Sequence, residues 1–254
     1  VVSSDKTYGA IILIRDVTEI VKTETMRSDF IANVSHELKT PMVMLSGYSE
    51  AILDEIVTEP EEVKEMIKII KDESDRMNKL VNELITIARM DSGADLLSIS
   101  NNDLMMLIND ISFKFKHEMN NKEIQFTVDA DKDSVIFDFD YGKIEQVINN
   151  LLDNAIRYTK PADKITLTVR DTGDEVIISV EDTGIGLKKE HQNRIFERFY
   201  KVDESRTRGK HGTGLGLYIV SSIIKRHKGT IDLNSEYGEG SIFNITLPKN
   251  HSKE

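Results

Sequence analysis

The segment that decides the fold of the first part of the chain reads PEEVKEMIKIIKDESDRMNKLVNELITIARMDSG over residues 60–93. Its apolar positions recur in steps of four and three, which is the spacing of a helix that packs along one stripe. Pro60 suits the first turn of such a helix, and the Asp91-Ser92-Gly93 run ends it. The segment therefore predicts one long amphipathic helix, whose stripe comprises Val63, Ile67, Ile70, Ser74, Met77, Val81, Leu84 and Ala88.

A second helical pattern precedes this segment and begins at about Asp16. It ends before the Thr58-Glu59-Pro60 break, so the two helices form a hairpin. Each helix has a single apolar stripe, and two hairpins in a four-helix arrangement bury both stripes better than one hairpin does. We therefore predict a homodimer, and the alternative is that the hairpin packs on the downstream domain. The stripe of the first helix comprises Ile31, Val34, Leu38, Leu45 and Ile52.

The rest of the chain is typical of a layered α+β domain, because helices alternate with a mixed or antiparallel set of strands. Asn102 and Asp140 are the expected N-caps of two helices, and a third helix is expected over 215–227. Strands are predicted over 124–128, 165–169, 176–180, 229–234 and 241–247. Another strand is predicted over 8–15, and we interpret it as the end of an upstream domain in a longer protein.

Composition excludes several classes of protein. The 254 residues include no cysteine, which rules out disulfide scaffolds, thiolate zinc sites, iron–sulfur ligation and a cysteine nucleophile. The net charge of −11 argues against nonspecific nucleic-acid binding by the whole surface. Residues 187–211 are an exception, since eight Lys or Arg against four acidic residues give +4. That segment is either a solvated loop or a clamp for a polyanionic ligand.

His36 is the first candidate for chemistry. Helical geometry points it away from the apolar stripe, places Thr40 on its face and puts Glu37 beside it. Pro41 cannot donate a hydrogen bond to the Glu37 carbonyl, which predicts a bend nearby. A neutral imidazole can attack phosphorus, and a carboxylate can hold the proton of the other ring nitrogen. The alternative is an ordinary polar surface with an incidental proline.

Two glycine clusters are the next candidates. Gly184 and Gly186 follow a predicted strand, and residues 212–217 open a helix. Neither fits the dinucleotide fingerprint and no Walker sequence is present, so a Rossmann or P-loop enzyme is disfavoured. The second cluster offers backbone N–H groups to phosphate directly after the basic segment. The alternative is that these glycines only allow the chain to turn in loops and bind no ligand.

Asn150 and Asn154 lie four residues apart on one face of an otherwise apolar helix. Asparagine is mildly unfavourable inside helices, so two in register call for an explanation. An amide oxygen is a suitable ligand for Mg²⁺ beside phosphates. Alternatively, both side chains bond neighbouring backbone.

Taken in this order, these segments resemble the catalytic core of bacterial sensor histidine kinases. The run around His36 is similar to the family's phosphoacceptor box, and residues 150–158 to its N box. Residues 182–187, 195–200 and 212–217 resemble the first glycine box, the F box and the second glycine box. The five ordered motifs extend over about 26–248, which makes the resemblance specific.

The resemblance implies an α+β architecture. A helical-hairpin dimerisation and phosphotransfer domain over 24–92 would form a dimeric four-helix bundle. A Bergerat-type α/β sandwich that binds ATP would follow over 93–250. Residues 1–23 resemble the end of a PAS sensor domain and a signalling linker, and 251–254 would be a tail.

The resemblance also implies residue roles. His36 would take the γ-phosphate, Glu37 would assist, and Thr40 would position water when the enzyme acts as a phosphatase. In the nucleotide site, Asn154 would bind Mg²⁺ with support from Asn150. The other implied nucleotide contacts are Asp182 to the adenine amino group, Tyr158 against the base, and Arg157, Gly184, Gly186, Lys201, Gly212, Thr213, Gly214, Leu215, Gly216 and Leu217. Residues 187–211 would be the ATP lid, and Arg157 stands where the family often has Lys.

The function so implied is that of an ATP- and Mg²⁺-dependent protein-histidine kinase. It would pass the phosphoryl group to an aspartate of a response-regulator receiver domain and also dephosphorylate that regulator. We expect a homodimer with no nucleic-acid partner and no direct membrane contact by this portion, which would be the cytoplasmic part of a membrane-anchored sensor kinase. The motifs also resemble respiration-regulating kinases of Gram-positive bacteria.

Two rival functions are distinguishable. A nucleotide-binding ATPase or chaperone-like module would keep the glycine boxes but release phosphate at a rate independent of His36. A scaffolding dimeric hairpin would not need Asn154 or Asp182.

Overall fold

The computed structural model describes residues 2–3, 6–7, 15–202 and 212–249. The chain divides into two compact units, Val1–Glu73 and Ser74–Glu254. Near the start, two short strands, β1 (Val2–Ser3) and β2 (Lys6–Thr7), pair antiparallel. The strand predicted over 8–15 lies almost wholly outside the described residues.

Two long helices follow, as predicted. Helix α1 spans Thr18–Leu53 and helix α2 spans Pro60–Asp91, so Pro60 is the first residue of its helix. Helix α1 continues through Pro41, where one backbone hydrogen bond is necessarily missing. The hydroxyl of Thr40 donates to the His36 carbonyl (3.3 Å), one residue before this gap.

The second half of α2 belongs to the second unit. It buries a stripe of residues different from the one that the heptad spacing predicts. The members of this stripe are Leu80, Glu83, Ile87 and Met90. The predicted stripe is not the one buried within the described chain, because Val81 is 42% exposed while its neighbour Leu80 is 3% exposed. Burial of the predicted stripe against a second copy stays a prediction. The reason is that this part of α2 packs within the second unit, as the alternative of packing on the downstream domain would have it for this half of one helix. In the first unit, apolar residues of both helices stay exposed, among them Met42, Val43, Met44 and Ile67.

The second unit is built on a five-stranded mixed sheet in the order β4-β6-β7-β9-β8. Strand β4 pairs parallel with β6, and all other neighbours are antiparallel. The strands are β4 (Gln125–Ala130), β6 (Lys164–Asp171), β7 (Glu175–Asp182), β8 (Thr230–Glu236) and β9 (Gly240–Pro248). Three of them contain the predicted strands 165–169, 176–180 and 241–247, while β4 and β8 each begin one residue after the predicted 124–128 and 229–234.

One face of this sheet forms the core. Alternate residues of a strand point to opposite faces, and the register aligns apolar residues across three strands. Leu167 faces Val180, which faces Phe243, and all three are at most 6% exposed. Helices α3 (Leu104–Asn121), α4 (Tyr141–Tyr158) and α6 (Gly216–Arg226) supply the other layer. This two-layer arrangement confirms the predicted α+β sandwich.

The N-caps of α3 and α4 test two predictions. Asp140 caps α4, as expected, by accepting from the Lys143 N–H (3.0 Å). Asn102 is not the cap of α3, because Asp103 accepts from the Met105 N–H (2.9 Å). Asn102 instead donates to the Phe139 carbonyl (2.9 Å), within a pair of short strands that was not predicted, β3 (Ser100–Asp103) and β5 (Ile136–Phe139).

A short helix, α5 (Lys189–Gln192), lies in the basic segment. Residues 203–211 of that segment fall outside the described residues. Within the described ranges, no helix is both long enough and apolar enough to cross a membrane.

Candidate active site

His36 lies on the exposed surface of α1, as its position relative to the apolar stripe predicted. Val34 and Leu38, its neighbours on the stripe, are half-buried. Glu37 is half-buried directly beside His36, and Thr40 is exposed one turn later. The three predicted catalytic residues therefore share a short accessible length of one helix.

The first glycine box is built around Asp182, at the end of β7. Asp182 is 7% exposed and accepts a hydrogen bond from the Gly184 N–H (2.9 Å). Burial raises the pKa of Asp182 to about 6, although hydrogen bonds from the backbone N–H groups of Gly184 and Ser241 oppose the shift. A carboxylate that keeps its charge at neutral pH inside a buried pocket is a strong acceptor for an amino group.

Close backbone contacts fix this box in place. The Ile185 N–H donates to the Tyr158 carbonyl (3.2 Å), which joins the end of α4 to the box. Gly186 has φ +60°, and a Cβ there would lie 1.9 Å from the Glu236 carbonyl oxygen. Only glycine fits at that position, so the loop is held tightly against the end of β8.

The second glycine box, residues 212–217, opens α6 and is surrounded by side chains from other elements. A Cβ on Gly212 would lie 3.2 Å from Nη1 of Arg157, and one on Gly216 would lie 3.5 Å from Oδ1 of Asn150. These distances bring the N box of α4 directly against the second glycine box. Sequence spacing alone could not establish this contact, since more than 50 residues separate the two motifs.

Asn150 and Asn154 are both half-buried on α4. Within residues 15–202 and 212–249, neither side chain has a hydrogen-bond partner, which argues against the alternative that they bond neighbouring backbone. Their amide oxygens suit a Mg²⁺ ion that also takes phosphate and water ligands. No group of three or more His, Cys, Asp or Glu suited to a metal exists among the described residues, so protein carboxylates alone form no such cage there.

The F box packs against the second glycine box. The Phe199 N–H donates to the Gly214 carbonyl (2.9 Å), and Gly214 has φ +76° with room for no Cβ beside the Phe199 backbone. Tyr200 forms a hydrogen bond with Nδ1 of His191 (2.7 Å). Lys201 is half-buried just before the residues that are not described. Four of the five predicted motifs thus meet around one site in the second unit, and Tyr158 is 44% exposed at its edge.

Sequence reasoning missed Glu83 of α2, which also reaches this site. Glu83 is 6% exposed and interacts with the side chain of Thr213. The available signal was the spacing of Leu80, Glu83 and Ile87, which puts an acidic residue in the middle of an apolar stripe.

Two family models match the chain. The model for the His Kinase A (phospho-acceptor) domain matches residues 26–93, and the model for the histidine kinase-, DNA gyrase B- and HSP90-like ATPase matches residues 139–251. The chain belongs to the sensor histidine kinases. The ATPase match covers both glycine boxes and the N box, so the ATP-binding assignment of the second unit is confirmed at the level of the domain.

Individual relatives agree with this family. Sensor protein SrrB of Staphylococcus aureus is 45% identical over 241 residues, which are 95% of this chain and 41% of SrrB. The chain therefore spans less than half the length of the SrrB sequences that it matches, and the match agrees with the expected subgroup.

Solved structures of histidine kinases share the fold. Acinetobacter baumannii histidine kinase AdeS is 27% identical with a TM-score of 0.71, covering 85% of this chain and 98% of AdeS. Histidine kinase ThkA, crystallised in complex with response regulator protein TrrA, is 27% identical with a TM-score of 0.74, covering 94% of this chain and 70% of ThkA.

Proposed function

We propose that this histidine kinase phosphorylates His36 from Mg²⁺-ATP, passes the phosphoryl group to an aspartate of a response regulator, and also dephosphorylates that regulator. The observation that carries the proposal is the pairing of an exposed His36, followed by Glu37, Thr40 and Pro41, with an ATP-binding unit whose N box and glycine boxes meet. A plain ATPase would not need the first, and a scaffold would not need the second.

The proposed nucleotide contacts are supported by the arrangement of the motifs in the second unit. Asp182 would accept from the adenine amino group, and Tyr158 would lie against the base, with Gly184 and Gly186 shaping the pocket. The backbone N–H groups of residues 212–217 would donate hydrogen bonds to the phosphates. Arg157 lies against Gly212 and would offset phosphate charge together with Lys201.

Asn154 would bind Mg²⁺ through its side-chain oxygen, with support from Asn150. The support is that both amides are free of other partners within residues 15–202 and 212–249 and lie beside the second glycine box. Bound Mg²⁺ would neutralise charge on the phosphates, which is a large part of catalysis in phosphoryl transfer.

The transfer step needs little covalent chemistry from the protein. A lone pair of the His36 imidazole attacks the γ-phosphorus, the bond from that phosphorus to the β,γ-bridging oxygen breaks, and ADP leaves with the electron pair. Glu37 would accept the proton of the other ring nitrogen as positive charge develops on the ring. In the separate phosphatase reaction, Thr40 would orient a water that attacks the phosphorus of the regulator's phosphoaspartate, and the aspartate carboxylate would leave as the bond between phosphorus and its oxygen breaks.

The partners are proposed on related grounds. A response-regulator receiver domain is the expected phosphoryl acceptor, supported by the complex of ThkA with TrrA. A homodimer is supported by the exposed apolar residues of the first unit and by its match to the His Kinase A domain. We also propose that the chain is the cytoplasmic part of a membrane-anchored kinase, on the ground of its similarity to a protein described as a sensor.

Labelling with γ-³²P-ATP and Mg²⁺ tests the assignment of His36. We expect the wild type to incorporate label that is lost in mild acid, as a phosphoramidate is, and His36→Gln to incorporate none. His117→Gln, at an exposed histidine of α3, is the matched control and should label normally. Equal labelling of wild type and His36→Gln, or acid-stable label, would sink the proposal. Phosphate release that ignores His36 would favour the plain ATPase.

A further inference from the structure

The buried stripe on the second half of α2 carries one charged residue. Leu80, Ile87 and Met90 are 1–7% exposed, and Glu83 among them is 6% exposed. Acidic side chains are almost never buried to this degree without a dedicated partner. Moreover, Oε2 of Glu83 has no hydrogen-bond partner among the described residues. A buried carboxylate with one unsatisfied oxygen is costly, so its position calls for an explanation.

Glu83 points into the phosphate side of the proposed nucleotide site. Burial raises the pKa of its carboxyl, while a hydrogen bond from the Thr213 side chain and the charges of Lys79 and Arg157 act in the opposite direction. Thr213 belongs to the second glycine box, and the Arg157 guanidinium lies against Gly212 of the same box. The carboxylate therefore faces the same hydroxyl and the same cation that the triphosphate would use.

Polar contacts hold α2 in this position. Lys79 Nζ lies 2.6 Å from Asp153 Oδ2 on α4. At the end of α2, Asp91 Oδ1 accepts from Nη2 of the F-box residue Arg198 (2.8 Å), whose guanidinium also stacks 4.4 Å from the ring centroid of Tyr218 on α6. Arg226 donates to the Met90 carbonyl (2.6 Å). These contacts connect α2 to α4, the F box and α6, which are the elements around the second glycine box.

We propose that Glu83 is a built-in competitor of the ATP phosphates. A carboxylate and a phosphate are both anionic acceptors, so they cannot share Thr213 and Arg157, and their charges repel at this range. Tight binding of a triphosphate then requires Glu83 to leave, which loosens the second half of α2 from the ATP-binding region. Glu83 thereby sets the affinity for ATP and links occupancy of the site to the phosphotransfer helix.

This inference rests on the proposed function, because it assumes that residues 212–217 bind phosphate. A comparison of two ligands separates the two ideas. Adenosine uses only the base pocket around Asp182, whereas ATP uses both the base pocket and the phosphate side. The competitor therefore weakens ATP binding and leaves adenosine binding unchanged.

Isothermal titration of the full chain with adenosine and with Mg²⁺-ATP provides the test. Glu83→Gln keeps the shape of the side chain and removes its charge, so we expect ATP to bind about tenfold more tightly and adenosine to bind within about twofold of wild type. Glu65→Gln, on the exposed surface of α2, is the matched control and should match wild type for both ligands. Glu83→Ala, which removes the carboxylate altogether, should also favour ATP.

Different results would overturn the role of Glu83 and the nucleotide site itself. Unchanged ATP affinity in both Glu83 variants, or tighter binding of adenosine and ATP by the same factor, would overturn the competitor role. If the wild type bound neither ligand, the nucleotide site itself would be wrong and the inference would fall with it. Thermal unfolding of each variant, with a single transition close to that of wild type, verifies that the titrated protein is folded.

Discussion

Asp182 shows how one residue balances stability against recognition. Its carboxyl is buried and its pKa is raised to about 6, chiefly by burial. In the unfolded chain the pKa would return to about 3.8. The folded state therefore binds a proton more readily than the unfolded state, and the cost of the buried charge is present above pH 6 and relieved as the pH falls toward 4. Stability is lower at neutral pH as a result, and the ionised carboxylate is the acceptor that the proposed base pocket requires.

The same shift predicts how binding depends on pH. The proposed acceptor for the adenine amino group is the ionised carboxylate, and only about a tenth of it remains at pH 5 when the pKa is about 6. We expect adenosine affinity to fall about tenfold between pH 7.5 and pH 5. Adenosine is the appropriate probe because it has no phosphate that titrates in this range.

Asp182→Asn provides the control for this pH dependence. The variant should bind adenosine weakly at every pH, with a flat profile, because its side chain does not titrate. An adenosine affinity of the wild type that stays constant from pH 7.5 to pH 5 would be inconsistent with recognition by the ionised carboxylate.

The sequence predicts which residues have suitable chemistry better than it predicts which residues lie close together. His36, Asn154 and Asp182 could be chosen from sequence because each stands in a motif whose residue types suit a known step. Glu83 could not, because its importance depends on α2 packing beside Thr213, which lies 130 residues later in the chain. Contacts between residues so far apart are set by packing of the whole unit.

The start of α4 is joined by hydrogen bonds to several other parts of the second unit. Asp140 is 7% exposed, caps α4 through the Lys143 N–H, and accepts from the Ser98 N–H with its other oxygen (2.7 Å). Its own N–H donates to Nε2 of the fully buried His227, whose Nδ1 donates to the Ile223 carbonyl (2.9 Å). One side chain and one backbone group thus tie together α4, α6 and the segment after α2.

Removal of this cap should destabilise the protein. Asp140→Ala loses two charge-assisted hydrogen bonds and leaves N–H groups unsatisfied, so we expect a loss of about 2–3 kcal/mol in the free energy of unfolding. Urea unfolding followed by circular dichroism measures it. Asp140→Asn retains an acceptor and should lose less, and Asp133→Ala, at an exposed loop residue, should lose almost nothing. Equal stability of Asp140→Ala and Asp133→Ala would contradict this account.

The errors at this scale have a common cause. Asn102 and Asp103 are both good N-caps by residue type, and local preference does not choose between them. The pairing of β3 with β5 decides, because it engages the Asn102 amide with the Phe139 carbonyl and leaves Asp103 at the helix start. Strands as short as β3 and β5 have too few residues to show alternation, so the pair was invisible in the sequence.

At the scale of the molecule, the first unit leaves several large apolar side chains exposed. Met42, Val43 and Met44 are 43–62% exposed on α1, and Ile67 is 54% exposed on α2. A cavity of about 340 Å³ on this unit is lined by Met44, Gly47, Tyr48, Ala51 and Met66. Surfaces of this kind are typical of helices that assemble with a second copy.

A charge placed in this cavity should prevent the proposed dimer. Met44→Asp would bury an unpaired carboxylate in a helix–helix contact, so we expect the variant to be a monomer under conditions where the wild type is a dimer. Size-exclusion chromatography with light scattering gives the mass directly. Lys64→Asp, on the exposed surface of α2, should leave the dimer intact. A monomeric wild type, or a dimeric Met44→Asp, would count against this interface.

The order of the motifs made the architecture of the molecule predictable. The division of α2 between the two units could not be predicted from them. The heptad rhythm runs evenly through residues 60–93, yet the structure divides between Glu73 and Ser74. The rhythm of Val81, Leu84 and Ala88 describes a helix correctly without identifying the face that another element covers. A neighbouring stripe one residue earlier becomes the buried one because the ATP-binding region offers α2 a second surface.

The close packing of Gly186 against the Glu236 backbone affects how fast a nucleotide would bind. The base pocket is held by backbone contacts at both ends, so adenine would enter a shape that already exists and would lose little entropy in ordering the protein. On the proposed phosphate side, the Glu83 carboxylate would have to leave before the triphosphate binds. Association should therefore occur in two stages, with a fast, weak capture of the base followed by a slower tightening that only a triphosphate completes.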